Sequence, residues 1–198
     1  CALAGLVLTF LVARWAHGQE REARYQTFAA LARTEAGALG HSLRLSRTRL
    51  EVLARFIESS EQVDADEFRN FTEPLGRGGL IRSLAWVPAV SRAEVADFVA
   101  AVRAGGAAEF ALVERDERGL RKPVGERETY YPVLFTAPLA GNEAAVGFDL
   151  GSEPVRRAAL VEAARTGLCS ATDAITLIQD SATPRQSMLV QYPVWRTL

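Results

Sequence analysis

The stretch TYYPVLFTAPLAGNEAAVGFDLGSEPVRRAALVEAARTG, residues 129–167, decides the fold class. Residues 129–137 are rich in aromatic and β-branched side chains and read as a strand, and residues 144–150 form a second apolar run. Ser152 then caps a helix, with Pro154 close behind. Proline suits a first helical turn because the N–H it lacks has no intrahelical partner there. That helix runs to about Arg165 and stops at Gly167, the residue type that best ends a helix.

Working outward, the same mixture continues on both sides. Asp64 caps a short amphipathic helix at 65–75, with Phe68 and Phe71 on its inner side. Gly76, Gly78 and Gly79 break it, and residues 80–87 read as a strand closed by Pro88. Ser91, with Glu94 three residues on, makes a capping box for a helix at 92–103, which Gly105 and Gly106 stop. Residues 110–114 read as a strand, and 115–128 as a charged loop. Beyond Gly167, the segments 168–172, 175–179 and 188–195 read as strands. Strands joined by short turns, with helices grouped between them, indicate an α+β fold with an antiparallel sheet flanked by helices. Gly76-Arg77-Gly78-Gly79 lies between helix and strand, the wrong order for cradling a phosphate.

Toward the N-terminus the pattern changes. Residues 1–13, CALAGLVLTFLVA, are uncharged and nearly all apolar. They span roughly 20 Å as a helix, against roughly 30 Å of hydrocarbon core. Residues 1–15 therefore read as the end of a transmembrane helix, with Trp15 at the interface and Arg14 and His17 at the water. A signal peptide would need a small-residue cleavage site, and Ala13-Arg14-Trp15-Ala16 is a poor one. A lipidated Cys1 and a buried soluble helix are the other readings. Residues 16–62 read as a stalk helix. Tyr25, Phe28, Leu31, Ala32, Leu39, Leu43, Leu50, Leu53, Phe56 and Ile57 recur largely in steps of three, four and seven. Such a stalk suits pairing with a second copy, and the alternative is two helices broken near Gly37 and Gly40.

Composition narrows the chemistry. With 198 residues, 48% apolar, the chain can build a core, and a net charge of −1 gives no electrostatic case for nucleic acid. Cys1 and Cys169 make no disulfide framework, and His17 and His41 found no metal site, so neither metal nor cofactor is expected. A Gly-x-Ser-x-Gly elbow is absent and both histidines precede the α/β part, which argues against a hydrolase. Cys169 reads as a small apolar strand residue. Asp149 could serve as an acid or base, or could cap the next turn or pair with Arg156 or Arg157. Glu114, Asp116, Glu117, Glu126 and Glu128 alternate with Arg115, Arg118, Arg121, Lys122 and Arg127, the mark of a solvated loop. Trp86, Tyr130, Tyr131, Phe135, Phe148 and Tyr192, with room near Gly147, Ala171 and Thr172, suit an apolar pocket or simply an aromatic core.

The order of the blocks adds a resemblance. LAWVPAV (84–90), YPVLF (131–135), GFDLGS (147–152), RTG (165–167), Ala171-Thr172 and YPVW (192–195) follow one another as in the CHASE family of extracytoplasmic sensory domains, which the chain resembles over about residues 63–196. The resemblance implies a long stalk helix carrying PAS-like α/β units, held outside the cytoplasmic membrane between two transmembrane helices. The output would be a histidine kinase, a cyclic-di-GMP enzyme or an adenylate cyclase. Residues 63–198 would be the distal, ligand-holding unit. Plant members bind cytokinins; Thr172 matches a pocket threonine, with Ala171 and Gly147 on neighbouring strands. Pro138 stands where those receptors carry the acidic residue that grips the adenine ring, and proline cannot accept two hydrogen bonds from a purine. The expected partner is thus a different small organic ligand, held by Trp86, Tyr131, Phe135, Gly147, Ala171 and Thr172. The chain is also expected to homodimerise through the stalk and to sit at the cell membrane with its sensor unit periplasmic or extracellular. A structural dimerisation module without a ligand is the alternative.

Overall fold

The computed structural model describes residues 2–76, 81–180 and 185–195, without the side chains of residues 2–13, 16, 18, 20, 22 and 23. The side chains of the apolar run read as a membrane anchor therefore lie outside the described residues, as do Gly78, Gly79 and Leu80. Among the described residues, no helix is long and apolar enough to cross a membrane.

Helix α1, Ala2–Ser59, is continuous through Gly37 and Gly40. The chain divides into two compact units, Cys1–Leu45 and Ser46–Leu198. In the first, Tyr25, Phe28, Leu31, Leu39 and Leu43 are exposed. In the second, Leu53, Ala54 and Ile57 are buried, and Arg47 and Glu51 form an i,i+4 pair at 2.8 Å on the surface.

Helix α2, Ala65–Gly76, begins where Asp64 predicts it. The Asp64 carboxylate accepts the N–H groups of Asp66 and Glu67, both at 2.8 Å, while Glu67 reaches back to the Asp64 N–H at 3.2 Å. This reciprocal cap satisfies donors that the first helical turn leaves unmatched. Phe68 is buried, and Phe71 stacks on Phe56 of α1 with ring centroids 4.0 Å apart.

The strands are shorter than the sequence patterns suggest. In chain order they are β1 (Leu84–Trp86), β2 (Val90–Ser91), β3 (Val113–Arg115), β4 (Arg121–Pro123), β5 (Thr129–Tyr130), β6 (Phe135–Ala137), β7 (Ser170–Ala171), β8 (Ile175–Thr176), β9 (Gln186–Ser187) and β10 (Val190–Gln191). They pair antiparallel as β1–β6, β2–β5, β3–β4, β7–β10 and β8–β9. The 129–137 strand splits in two around Pro132, which has no N–H to give a ladder. Residues 115–128, expected as a loop, contribute β4 and the turn of a hairpin. The apolar run at 144–150 enters as a 3₁₀ turn, Glu143–Ala145, and then becomes a rung. Within it, Gly147 N–H donates to Val133 O and Leu150 N–H to Tyr131 O, while Val113 N–H donates to Gly147 O, all at 2.9 Å. Leu134 N–H donates to Trp86 O at 2.9 Å. Backbone hydrogen bonding thus passes from β4 through β3, residues 147–150 and residues 131–134 to β1.

Helix α3, Val95–Ala104, starts later than its expected capping box. The Glu94 carboxylate accepts the Ser91 N–H at 3.2 Å, as a capping box expects, but the Ser91 hydroxyl donates to the same carboxylate at 2.6 Å instead of accepting a backbone N–H, and residues 92–94 form a turn ahead of the helix. Helix α4, Pro154–Thr166, matches its prediction, with Pro154 in the first turn and Gly167 at the C-terminal cap. Its N-cap is Glu153, not Ser152, whose hydroxyl donates to Asp149 O at 2.6 Å.

Three apolar clusters hold these pieces together. The first joins Leu53 and Ile57 of α1 to Phe68, Leu84 and Ala137, with Trp86 and Phe135 packed against them. The second gathers Val133, Phe148, Leu150 and Ile178, flanked by Tyr131 and Leu189. The third sets Phe110, Leu112 and Tyr130 under α3.

Candidate functional site

Asp149 is fully buried, and both of its oxygens are engaged. Oδ1 accepts the N–H groups of Tyr131 at 2.8 Å and Gly151 at 2.9 Å, and Oδ2 accepts Arg127 at 3.0 Å. A carboxylate so enclosed has no access to solvent, and three of its roughly four acceptor positions are filled by the protein. It ties three segments together. Of the two readings of Asp149, the turn-capping one is seen, but the ion-pair partner is Arg127, not Arg156 or Arg157.

Arg127 also pairs with Glu114, which Lys122 contacts at 3.0 Å. Glu114 is buried, so the expectation of a solvated loop fails at this residue. Burial raises its carboxyl pKa, but hydrogen bonds from Arg127, Lys122 and the Gly125 N–H outweigh that, holding it below the ordinary 4.5. The guanidinium of Arg156 lies buried 5.7 Å from the Phe148 ring centroid. It donates to Thr176 O at 3.0 Å and pairs with Glu153. Burial, reinforced by the charge of Arg115, brings its pKa down to about 10. Burial pushes the Cys169 thiol up, the opposite of a reactive cysteine. A shallow depression of about 360 Å³ at the β3–β4 hairpin is lined by Arg115, Asp116, Glu117, Arg118 and Lys122.

The six residues expected to hold a ligand fall in distinct places. Trp86 and Phe135 are cross-strand neighbours on β1–β6 and pack on the first cluster, where Phe135 meets Phe68 at 5.7 Å. Tyr131 belongs to the second cluster, its ring set against Gly151, where a Cβ would stand 2.8 Å from Tyr131 Cδ2. Gly147 has φ +78°, and a Cβ there would come within 2.1 Å of Ala111 O. The space beside it is filled by backbone, so this glycine permits a close strand approach. Thr172 is buried; its N–H donates to Leu189 O at 2.9 Å and its hydroxyl accepts the Leu189 N–H at 3.0 Å. Ala171 pairs with Val190 and is exposed. Side chains alternate along a strand, so Ala171 faces away from Thr172. Pro138 follows β6 through a cis peptide bond, and its carbonyl accepts Asn142 Nδ2 at 2.9 Å.

One polar side chain was overlooked. Gln191 pairs with Ser170, two positions along the ladder from Thr172 and Leu189, and therefore shares their face. Its amide nitrogen and oxygen are both buried, and neither has a hydrogen-bond partner. An amide flanked by apolar residues in 188–195 was the signal that could have found it.

The CHASE domain family matches residues 61–198. The chain belongs to that family. CHASE domains are sensory domains of receptors, and residues 61–198 of this chain carry that sensory role. No curated protein matches the chain. The match begins just beyond α1 and takes in every strand pair among the described residues, the second and third clusters, the Asp149 hub, and the part of the first cluster that packs on α1.

Proposed function

We propose that this CHASE domain is the extracytoplasmic, small-molecule-sensing part of a membrane-anchored receptor. In this reading, the ladder running from β4 to β1 forms a PAS-like unit. Tyr131 and Thr172 line the ligand site, Gly147 fixes the backbone beside it, and Trp86, Phe135 and Ala171 border it. Ligand occupancy biases the packing of β1–β6 on α1. That helix carries the bias toward the membrane and on to a cytoplasmic output, a histidine kinase or cyclic-di-GMP enzyme. The ligand can shift the equilibrium only by its difference in affinity between the two packings.

The observation that carries this reading is the first cluster, where Trp86 and Phe135 of β1–β6 share one core with Leu53 and Ile57 of α1. A close-packed core changes in discrete steps, so movement of that strand pair repositions the helix. Pro138, in place of a carboxylate, argues for a ligand other than a cytokinin. The exposed apolar residues Tyr25, Phe28, Leu31, Leu39 and Leu43 support homodimerisation through α1. They equally favour a second reading, a dimerisation module without a ligand.

Calorimetry of the full chain against a metabolite set separates the two. Under the sensory reading a metabolite binds, and Tyr131→Ala or Thr172→Ser weakens that binding while far-ultraviolet circular dichroism is unchanged. Identical binding by wild type and both variants would overturn the site assignment, and no binding at all would favour the dimerisation module.

A further inference from the structure

We propose that Gln191 is the polar anchor of the ligand site and that the ligand presents an adjacent hydrogen-bond donor and acceptor. Carboxamides, lactams and pyrimidine-type edges form this class. The proposal rests on the sensory reading and names its ligand chemistry.

A buried donor or acceptor left unmatched costs about 1–3 kcal/mol, and Gln191 carries both on one planar group, neither with a partner. A primary amide gives N–H and accepts at its oxygen side by side. A ligand carboxylate would satisfy the nitrogen but face the oxygen with like polarity. An ammonium would do the reverse. An edge with one N–H beside one C=O, or beside one ring nitrogen, satisfies both in a single cyclic pair. Gln191 shares its face with Thr172 and Leu189, and Leu189 packs against the cluster of Val133, Phe148, Leu150 and Ile178, which Tyr131 flanks. The setting is an apolar wall with one two-sided polar group, the polar pattern of a small-molecule site; protein covers both amide atoms, so a ligand reaches them when that cover moves.

The test titrates the full chain, wild type and Gln191→Leu, with benzamide, 2-piperidone and uracil, and with benzoate and ethylbenzene as controls. Binding is read by calorimetry and by the ¹⁵N–¹H signals of the Gln191 side chain. The proposal expects an amide-type probe to shift those signals and to bind wild type about tenfold or more tightly than Gln191→Leu, as loss of one or two hydrogen bonds implies. It also expects the probe-free Gln191→Leu variant to melt at or above the wild-type temperature, because the substitution removes two unmatched buried groups. A lower melting temperature would mean that the amide is already bonded within the protein, and the proposal falls. Equal binding by both chains, or no shift of the Gln191 signals with any amide-type probe, also overturns it. Preference for benzoate or ethylbenzene over the amide-type probes overturns this ligand class while leaving the sensory reading intact.

Discussion

Two stretches of α1 carry one apolar pattern and meet opposite fates. Between Tyr25 and Leu43 the stripe faces solvent, with Phe28 69% and Leu39 52% exposed. Between Leu50 and Ile57 it is covered by α2 and β1–β6, and Ile57 is 1% exposed. The periodicity is the same, so it cannot distinguish a face covered by its own chain from one left open. What differs is the sequence that follows. Residues 60–64 turn the chain so that α2 returns beside Leu53 and Ile57, where Phe68 fills the gap.

The difference breaks most sharply if the covering unit is loosened from inside. Arg127→Leu leaves the buried Asp149 and Glu114 carboxylates without their shared cation and should cost about 3–5 kcal/mol. Hydrogen exchange at residues 50–57 should then rise toward that of 25–43; unchanged protection would show that the hub does not support the cluster. Next in size is a direct probe of the two stretches. Ile57→Ala should lower stability to urea by about 2–5 kcal/mol, whereas Leu39→Ala in monomeric protein should stay within about 0.5 kcal/mol. Comparable losses at both positions would mean that the open stripe is covered in solution.

The smallest effect is one of pH. Because Glu114 titrates below 4.5 when folded, its contribution is fully present above the unfolded value and is lost as pH falls through the folded one. Glu114→Gln should therefore flatten the fall in stability below about pH 4.5 and leave its slope near neutrality unchanged. An unaltered acid limb would assign that fall to other carboxylates.

Local chemistry was legible from sequence where it closes over a few residues. The Asp64 cap placed α2, although its reciprocal partner Glu67 went unread, and Pro154 with Gly167 bracketed α4. Strand lengths were less legible, because β-prone composition runs unbroken from 129 to 137, whereas the pairing changes partner along it, from β2 at Tyr130 to Asp149 at Pro132 and β1 at Phe135. Half of the Ser91–Glu94 box was read correctly, since the Glu94 carboxylate accepts the Ser91 N–H, but the Ser91 hydroxyl donates to that carboxylate instead of accepting a backbone N–H. The Asp149–Arg127 pair spans 22 positions and exists only because residues 147–150 become a rung. Nothing in charge patterning singles out Arg127 from its neighbours. The block order pointed to the family, but it could not show that Ala171 and Thr172 turn opposite ways or that the polar end of half-buried Gln191 is covered.

The β3–β4 hairpin closes on itself at its tip. The Asp116 carboxylate accepts Arg118 N–H at 2.9 Å and Leu120 N–H at 2.8 Å, and Leu120 is largely exposed. Such a knot is fastened at its base and owes little to the rest of the molecule. A fluorescent protein or an affinity tag spliced between Glu117 and Arg118 would thus ride on the receptor without entering its core, giving the cell biologist a handle at the surface of the sensing unit.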